Sequence, residues 1–266
     1  MAGSEDSGRQ ILHPVLNGLF IAFSMYSRIP VPQAEWEGAG MGYVLCFFPT
    51  VGAVIGAAAS GFCFLADRME LGPVAFACIG TALPILLTGG IHMDGLLDVV
   101  DARSSCQPRE KKLEILKDPH TGAFAIIGCG VYLLLYAAAF SQLNRESFCA
   151  VAGIFVLERA LSGWSVVTFP KAKREGLAST FAGEAKKKAV QMSMAAWGLG
   201  AAGFLICMSG LFAGGMAVAM AFCVFGWYYR MAKREFGGIT GDLAGYFLQL
   251  CELGMLGMLV LGQWVR

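Results

Sequence analysis

Long apolar stretches, each about the length needed to cross a lipid bilayer, recur along most of this sequence. A helix needs roughly 20 mostly apolar residues to span the hydrocarbon core. Such stretches cover residues 41–66, 72–91, 123–143, 148–169, 190–211, 213–231 and 243–264. They predict an all-α fold, a polytopic integral membrane helix bundle of about six to eight transmembrane or membrane-embedded helices. Since no linker separates these stretches, we expect a single membrane-embedded domain over residues 1–266.

The composition agrees with a membrane protein and argues against a nucleic-acid partner. Of the 266 residues 56% are hydrophobic and only 15% are charged, which is too little charge for the surface of a soluble domain. The balance of 20 basic and 19 acidic residues gives no basic footprint for nucleic acid. Residues 11–30 are apolar but include Pro14 and Asn17, and we expect an interfacial or partly inserted helix there.

Basic loops indicate the orientation in the membrane. The connection 170–188 holds six basic and two acidic residues, and residues 230–235 add three more basic ones. Loops rich in Lys and Arg stay in the cytoplasm, and the uncharged turn at 208–215 makes the segments between these loops a hairpin. Counting spans backwards places 92–122 on the same side. We therefore expect a cytoplasm-facing site in the cytoplasmic (inner) membrane.

Three aspartates follow the second apolar stretch, in "GGIHMDGLLDVVDA". At 100° per residue, a helix through Asp94, Asp98 and Asp101 places their carboxylates on one stripe. Like charges at a low-dielectric boundary repel unless a cation neutralises them, and hard oxygen ligands select magnesium, manganese or calcium. Magnesium bridging to phosphates is the commonest use of such an arrangement. The alternative is a set of solvated acids on a cytoplasmic helix.

Other residues on the same face would complete a phosphate site. "KDPHTGAF" presents Lys117 and Asp118 before a glycine turn, and "GGITGD" places Asp242 near a helix start, where it is either a ligand or an N-cap. Basic and polar candidates remain, each with a structural alternative: Arg28 and Arg174 as membrane-interface anchors, Arg159 as an ion pair with Glu158, and His92 as a structural histidine. The residues indicate transfer of a phosphoryl-linked group from a diphosphate donor.

Five ordered blocks resemble the cobalamin synthase family, the adenosylcobinamide-GDP ribazoletransferases. They are "YSRIPVP" (26–32), "TGGIHMDGLLDVVDA" (88–102), "EILKDPHTGAFAIIG" (114–128), "KREGL" (173–177) and "GGITGDLAGYFLQLCEL" (237–253). The resemblance implies a Mg2+-dependent membrane enzyme that joins adenosylcobinamide-GDP to α-ribazole or its 5′-phosphate and releases GMP. The implied partners are these substrates, the lipid bilayer and other enzymes of late cobamide assembly.

The resemblance also implies roles for the candidate residues. The magnesium ligands would be Asp94, Asp98, Asp101, Asp242 and Glu252. The substrate would be bound by Arg28, Arg159, Arg174, Gly90, Gly122 and Gly241. The catalytic residues would be Lys117, beside the departing phosphate, and a proton acceptor chosen among Asp118, His92 and the cluster aspartates. No role is assigned to His120.

Two alternatives come from other classes. A CDP-alcohol phosphotransferase also joins a membrane bundle to an Asp-Gly metal site, but its motif has Ala-Arg where Asp98 and Val99 stand here. A transporter would explain the apolar spans and the ionisable pair at 158–159. It would not need aspartates and glycine turns gathered on one face.

Overall fold

The fold is a bundle of α-helices. The computed structural model describes residues 3–34, 36, 38–172 and 177–265, and in those ranges it has no strand, only a bridge between Lys171 and Ile239. The helices are α1 (Gly3–Tyr26), α2 (Phe48–Arg68), α3 (Pro73–Thr88), α4 (Ile91–Ser104), α5 (Arg109–Ile115), α6 (Ala123–Ser141), α7 (Ala150–Thr168), α8 (Leu177–Glu184), α9 (Lys187–Met231) and α10 (Gly241–Trp264). A 3-10 segment, Ala39–Phe47, precedes α2, and a π-helical turn, Ala232–Phe236, follows α9.

Five helical segments are long and apolar enough to cross a membrane. They are Ala39–Arg68, Ala123–Ser141, Ala150–Thr168, Lys187–Phe236 and Gly241–Trp264. Each corresponds to one of the predicted apolar stretches, except Lys187–Phe236, which contains two. The all-α membrane bundle expected from the sequence is therefore confirmed.

The longest of these segments is a hairpin. Gly210 has φ 82° and ψ 162°, which interrupts α9. A Cβ on Gly214 would lie 2.6 Å from the Cα of Ile206, whereas residues eight apart in a straight helix are separated by about 12 Å. The chain therefore reverses, and the arms 187–209 and 211–231 are each long enough to span. This confirms the predicted turn at 208–215.

The connection from α3 to α4 differs from the predicted arrangement, in which a complete span over residues 72–91 is followed by a loop. The two helices meet at an angle of 98° across Gly89 and Gly90, whose φ values of 66° and 79° suit glycine. With 16 residues, α3 is about 24 Å long, shorter than the hydrocarbon core. The predicted span 72–91 is thus a partial crossing that ends at the glycine pair. Because α4 carries three aspartates and turns sharply away, we treat it as outside the spanning segments.

The first helix fits the expectation of partial insertion. Its apolar part, Pro14–Tyr26, is shorter than a full span. It packs along the 3-10 segment, where a Cβ on Gly18 would approach the carbonyl oxygen of Gly40 to 2.9 Å. The segment that follows α1 reaches the last turn of α3, because the Arg28 N–H donates to the Leu87 carbonyl at 2.7 Å.

The loops separate into two groups at opposite ends of the bundle. At one end, Arg145 pairs with Asp67 at 3.3 Å, and the Asn144 N–H donates to Gln263 Oε1 at 3.1 Å. At the other end, the loop before α6 contacts α4, and the Ala172 N–H donates to the Ile239 carbonyl at 3.0 Å. The acidic helix α4, the 117–123 loop and the 237–242 turn therefore share one end, as the span count predicted.

Glycines allow α2 and α7 to pack with their backbones in contact. A Cβ on Gly56 would lie 2.6 Å from the Cα of Ala152, and one on Gly52 would overlap the carbonyl oxygen of Phe155. Small residues at such spacing are a common means of close helix packing in membranes, where lipid gives helices no hydrophobic reason to associate. This contact holds α7, the most deeply buried helix, at the centre.

We expect Gly56→Val to destabilise the bundle, because the new side chain would force the two backbones apart. Overpacking of this kind costs about 1–3 kcal/mol. Gly61→Val is the matched control in the same helix, because a Cβ at Gly61 meets nothing within 4 Å. Thermal unfolding in detergent measures both. Equal shifts in the two variants would contradict the backbone contact at Gly56.

Candidate active site

The candidate site is built where the first turns of α4 and α10 cross. A Cβ on Gly95 would lie 2.6 Å from the carbonyl oxygen of Asp242, and one on Gly245 would lie 3.1 Å from that of His92. The helices touch because neither glycine has a side chain. The crossing brings the Asp94 turn of one helix against the Asp242 turn of the other.

Carboxylates from both helices gather at this crossing. Asp94 is exposed, while Asp98 and Asp242 are half-buried. Burial and, after it, the charges of Asp94, Asp242 and Asp101 raise the pKa of Asp98 to about 6. The cluster is therefore an accumulation of negative charge of the kind that a cation stabilises.

Asp101 was expected to be a metal ligand like Asp94 and Asp98, but its carboxylate contacts the amino-terminal end of α6. Its carboxylate accepts hydrogen bonds from the N–H groups of Gly122, at 2.7 Å, and Ala125, at 3.2 Å. A Cβ on Gly122 would overlap this carboxylate, so the glycine is required for the contact. Asp101 thus caps α6 and fixes the end of the 117–122 loop beside α4. Gly122, predicted to bind substrate, lies in this capping contact.

Within the described ranges, no group of three or more His, Cys, Asp or Glu side chains is arranged to hold a metal ion by itself. A magnesium ion does not require one, because it is usually held by one or two carboxylates together with water and substrate phosphates. Asp94, Asp98 and Asp242 supply the hard oxygen donors that such a shared site needs. The donor chemistry therefore fits a cation that arrives with a phosphorylated substrate.

Two cavities flank Asp94. One is an open groove of about 610 Å³, lined in part by Arg28, Gly89 and Gly90. The other is a mostly apolar cavity of about 190 Å³, to which Gly241 and Asp242 also contribute. Asp94 lines both, so a group bound in one meets a group bound in the other at this side chain.

The groove is shaped by the glycine pair that ends α3. The aliphatic part and Nε of Arg28 lie directly against Gly89, where a side chain would clash. Arg28 is exposed, and its guanidinium is therefore presented at the same groove as Asp94. Gly90, also predicted as a substrate-binding residue, lies on the groove wall in a left-handed conformation.

The 117–122 loop is the most exposed part of the site. The Asp118 carboxylate accepts from the His120 N–H at 3.0 Å and contacts its imidazole Nδ1 at 2.7 Å. These hydrogen bonds lower the pKa of Asp118 below its usual value, which makes it a weaker proton acceptor. Lys117 is exposed at the start of the loop. The contact of His120 with Asp118 was not predicted from the sequence.

His92 lies inside the bundle next to the smaller cavity. It is 5% exposed, and its ring lies 6.2 Å from that of Tyr26 and 6.0 Å from that of Phe48. Burial and, second, the charge of Arg159 lower the pKa of His92 well below its ordinary value, so the imidazole is neutral. Its Nε2 atom has no hydrogen-bond partner in the described residues.

Two of the predicted site residues lie elsewhere. Arg159 is 1% exposed and donates to Glu158 and to the Phe155 carbonyl, the ion pair considered as the alternative. Glu252 is 3% exposed and accepts from Tyr136. It lies ten residues beyond Asp242, about 15 Å along α10. We therefore remove Arg159 from the substrate-binding set and Glu252 from the metal set. Arg174 lies outside the described residues.

A polar network that sequence reasoning missed supports the crossing. Arg103 of α4 donates to Glu235 through Nε and Nη2, at 3.2 and 3.1 Å, and to Tyr246 of α10 at 3.0 Å. Lys112 of α5 donates to the same carboxylate at 2.8 Å. The network ties α4, α5, the π-helical turn and α10 together. In the sequence, the feature that could have indicated this network was Arg103, which follows Asp101 by two residues.

The fold and this geometry define a class: a membrane-embedded helix bundle with an acidic site and a basic groove at one end, suited to phosphorylated substrates. Comparison with known families identifies it further. The model of the cobalamin-5-phosphate synthase family matches residues 18–260, and the chain belongs to this family. It is therefore an enzyme of cobalamin biosynthesis. This assignment resolves the alternatives left by the sequence in favour of the resemblance.

Relatives named adenosylcobinamide-GDP ribazoletransferase match nearly the whole chain. The protein from Lachnoclostridium phytofermentans is 49% identical over 250 residues, covering 92% of this chain and 93% of the relative. The protein from Clostridium perfringens strain 13 is 31% identical over 248 residues (91% and 96%), and that from Rhizobium johnstonii 30% over 249 residues (88% and 93%). No solved structure matches this chain.

We expect Glu235→Gln to lower the free energy of unfolding by about 1–3 kcal/mol, because it leaves two partly buried cations without their carboxylate. Glu114→Gln is the matched control. It removes an ion pair with Lys111 in which both side chains are more than half exposed, at 63% and 65%, and water screens such pairs so that they contribute little to stability. Thermal unfolding in detergent compares the variants. The network would have no supporting role if Glu235→Gln cost no more than the control.

Proposed function

We propose that this enzyme transfers the adenosylcobinamide phosphate group of adenosylcobinamide-GDP to the 3′-hydroxyl of α-ribazole or α-ribazole 5′-phosphate. The new bond joins the ribazole 3′-oxygen to the phosphorus nearest the cobinamide. The bond from that phosphorus to the bridging oxygen of the diphosphate breaks, and GMP leaves. The relatives that match nearly the whole chain carry the name of this activity.

The observation that carries the proposal is the groove beside the acidic crossing. Arg28 offers a guanidinium suited to phosphate oxygens, and the adjacent Gly89–Gly90 turn leaves space for close approach. Asp94 lies on the same wall. A diphosphate with its counter-cation therefore finds a basic group and hard oxygen donors side by side.

Magnesium is the cation we propose, held by Asp94, Asp98 and Asp242. When bound, it would neutralise charge on the diphosphate and on the departing GMP. The side chains contribute the rest of the chemistry: Arg28 orients the diphosphate, and Asp101 keeps the 117–122 loop, with Lys117, next to α4. Lys117 is exposed and long enough to follow a leaving phosphate.

A cluster aspartate is a better proton acceptor for the attacking hydroxyl than Asp118. The Asp118 carboxylate is engaged by His120, and its pKa lies below the usual value. By contrast, Asp94 is exposed and lines both the groove and the smaller cavity, where groups bound in the two would meet. The proton of the 3′-hydroxyl would pass to this cluster and from there to water.

We also propose that the site faces the cytoplasm from the inner membrane. The end of the bundle that carries the aspartates also carries Lys171 and the run Lys186–Lys188. Such basic loops are retained in the cytoplasm. The loops at the opposite end, residues 69–72, 142–149 and 208–215, together hold one basic residue, Arg145.

We expect Asp94→Asn to reduce acceptor-dependent GMP release at least ~100-fold, about 2.7 kcal/mol of barrier. Asp94 is the carboxylate shared by groove and cavity, so its charge acts where the reacting groups meet. The assay uses purified protein in lipid with adenosylcobinamide-GDP, α-ribazole 5′-phosphate and Mg2+. Asp67→Asn, an aspartate at the opposite end of the bundle, serves as the control and should keep the wild-type rate. Full activity in Asp94→Asn would place the metal elsewhere.

Magnesium should also stabilise the protein without any turnover. A cation that binds only the folded state at ten times its Kd adds about 1.4 kcal/mol of stability. With the donor present and the acceptor absent, we expect Mg2+ to raise the unfolding temperature of the wild type and of Asp67→Asn, but to have little effect on Asp94→Asn. An equal rise in all three would mean that the ion binds somewhere other than the acidic crossing.

A further inference from the structure

A third cavity lies at the end of the bundle that carries the aspartates, and the proposed reaction uses none of its side chains. It is an open groove of about 870 Å³, lined by the end of α7, the segment that follows it, the last turn of α8 and the start of α9. Val166, Val167 and Phe169 form an apolar wall, and Lys171 and Lys187 contribute two amines. This lysine groove therefore combines an apolar surface with positive charge.

Two like charges meet in the lysine groove. Lys171 is half-buried, and its Nζ donates to the Phe169 carbonyl at 2.9 Å instead of extending into water. Burial and, second, the charge of Lys187 lower the pKa of Lys171 to about 8, so the amine is still charged at neutral pH. Among the described residues, none that lines the groove is acidic, and neither lysine forms an ion pair. An anion bound between the two amines would relieve their repulsion.

The lysine groove lies where two spanning segments leave the membrane. Helix α7 ends at Thr168, and the first arm of α9 begins at Lys187. The two helices pack side by side, since a Cβ on Gly163 would lie 2.5 Å from the sulfur of Met194. Phospholipid headgroups lie just outside the hydrocarbon core, and basic pockets between spanning helices on the cytoplasmic side bind acidic headgroups. The two amines therefore lie near the level of lipid phosphates, with the apolar side chains of α7 on the membrane side.

A soluble phosphate is the other source of such an anion. Val166 lines both the lysine groove and the cavity beside Asp94, so the two spaces are neighbours. Val166 is buried, and a phosphate on a substrate in that cavity would have to pass it. A free phosphate is also strongly hydrated and gains nothing from the apolar wall, whereas the acyl chains attached to a lipid phosphate do. Positive charge and apolar surface together favour the lipid.

We propose that the lysine groove binds the headgroup of an acidic phospholipid, whose phosphate lies between Lys171 and Lys187 and whose acyl chains run along Val166 and Val167. The headgroup supplies the negative charge that the two amines attract, and the chains cover the apolar wall. A lipid without net charge meets only the second of these requirements.

The lysine groove is joined to the turn that precedes Asp242. The Ile239 N–H donates to the Pro170 carbonyl at 2.8 Å, and the Ala172 N–H donates to the Ile239 carbonyl at 3.0 Å. Lys171 lies between these two contacts. A lipid bound to Lys171 would therefore hold the 237–242 turn, and with it one side of the acidic crossing, at the membrane surface.

The proposal predicts a preference for acidic lipid that depends on the two groove lysines. Native mass spectrometry of the full chain in detergent, titrated with phosphatidylglycerol or with phosphatidylcholine, gives the two dissociation constants without any turnover. We expect the wild type to bind phosphatidylglycerol about tenfold more tightly than phosphatidylcholine, because basic residues at a membrane surface attract acidic lipid. In the double variant Lys171→Gln, Lys187→Gln this ratio should fall to about twofold or less.

The double variant Lys188→Gln, Lys233→Gln is the matched control. Both of these lysines are exposed at the same end of the bundle and neither lines the groove, so the control removes the same amount of charge. It should keep the wild-type ratio. An equal loss in the two double variants would mean that the preference comes from overall charge, which would overturn the proposal.

α-Ribazole 5′-phosphate and α-ribazole distinguish a soluble phosphate from a lipid. Equilibrium dialysis at constant ionic strength compares both compounds with the wild type and with the variant that lacks Lys171 and Lys187. If the lysine groove is a lipid site, the ratio of the two affinities stays the same in both proteins. A variant that binds α-ribazole normally but loses affinity for its 5′-phosphate would assign the groove to substrate and overturn the lipid proposal.

Discussion

The direct contact between α4 and α10 is the constraint on which the rest of the site depends. Gly95 and Gly245 let the two backbones touch, and this contact brings Asp94, Asp98 and Asp242 together against their mutual repulsion. Attraction elsewhere must hold the helices in place. The ion-pair network around Glu235 does so from one side of the crossing, since Arg103 and Tyr246 belong to the two helices concerned.

The same principle, glycine where backbones must meet, orders the bundle from its centre to its surface. Gly56 allows the backbones of α2 and α7 to pack in contact, and Gly210 allows the chain to reverse within α9. Gly89 leaves space for the Arg28 side chain. In a lipid environment helices gain little from hydrophobic burial against one another, so close packing carries more of the stability. The active site is then one more close crossing, distinguished by the acids on its first turns.

Much of this architecture was predictable, because the thickness of the bilayer sets the length of a spanning helix. Gly-rich, uncharged turns in the sequence mark where such helices end. The apolar stretches, the hairpin at 208–215 and the shared end of the motif loops all follow from such local signals. Contacts between distant segments do not. Helical spacing places Asp101 on the stripe of Asp94 and Asp98 but says nothing of the α6 amides that it meets. Glu252 lies in the same family-like sequence block as Asp242 (237–253). Because both are in α10 and ten residues apart, Glu252 is about 15 Å from Asp242 along the helix.

The capping contact of Asp101 has an electrostatic consequence. The amino-terminal turns of α4, α6 and α10 contain or meet Asp94, Asp101 and Asp242 respectively. The amino end of each helix carries a partial positive charge of about half a unit, from peptide dipoles that point along its axis. Three such ends converge on the acidic cluster and lessen its repulsion before any ion binds. Because backbone dipoles are fixed by the fold, this part of the positive field needs no side chain and persists through every turnover.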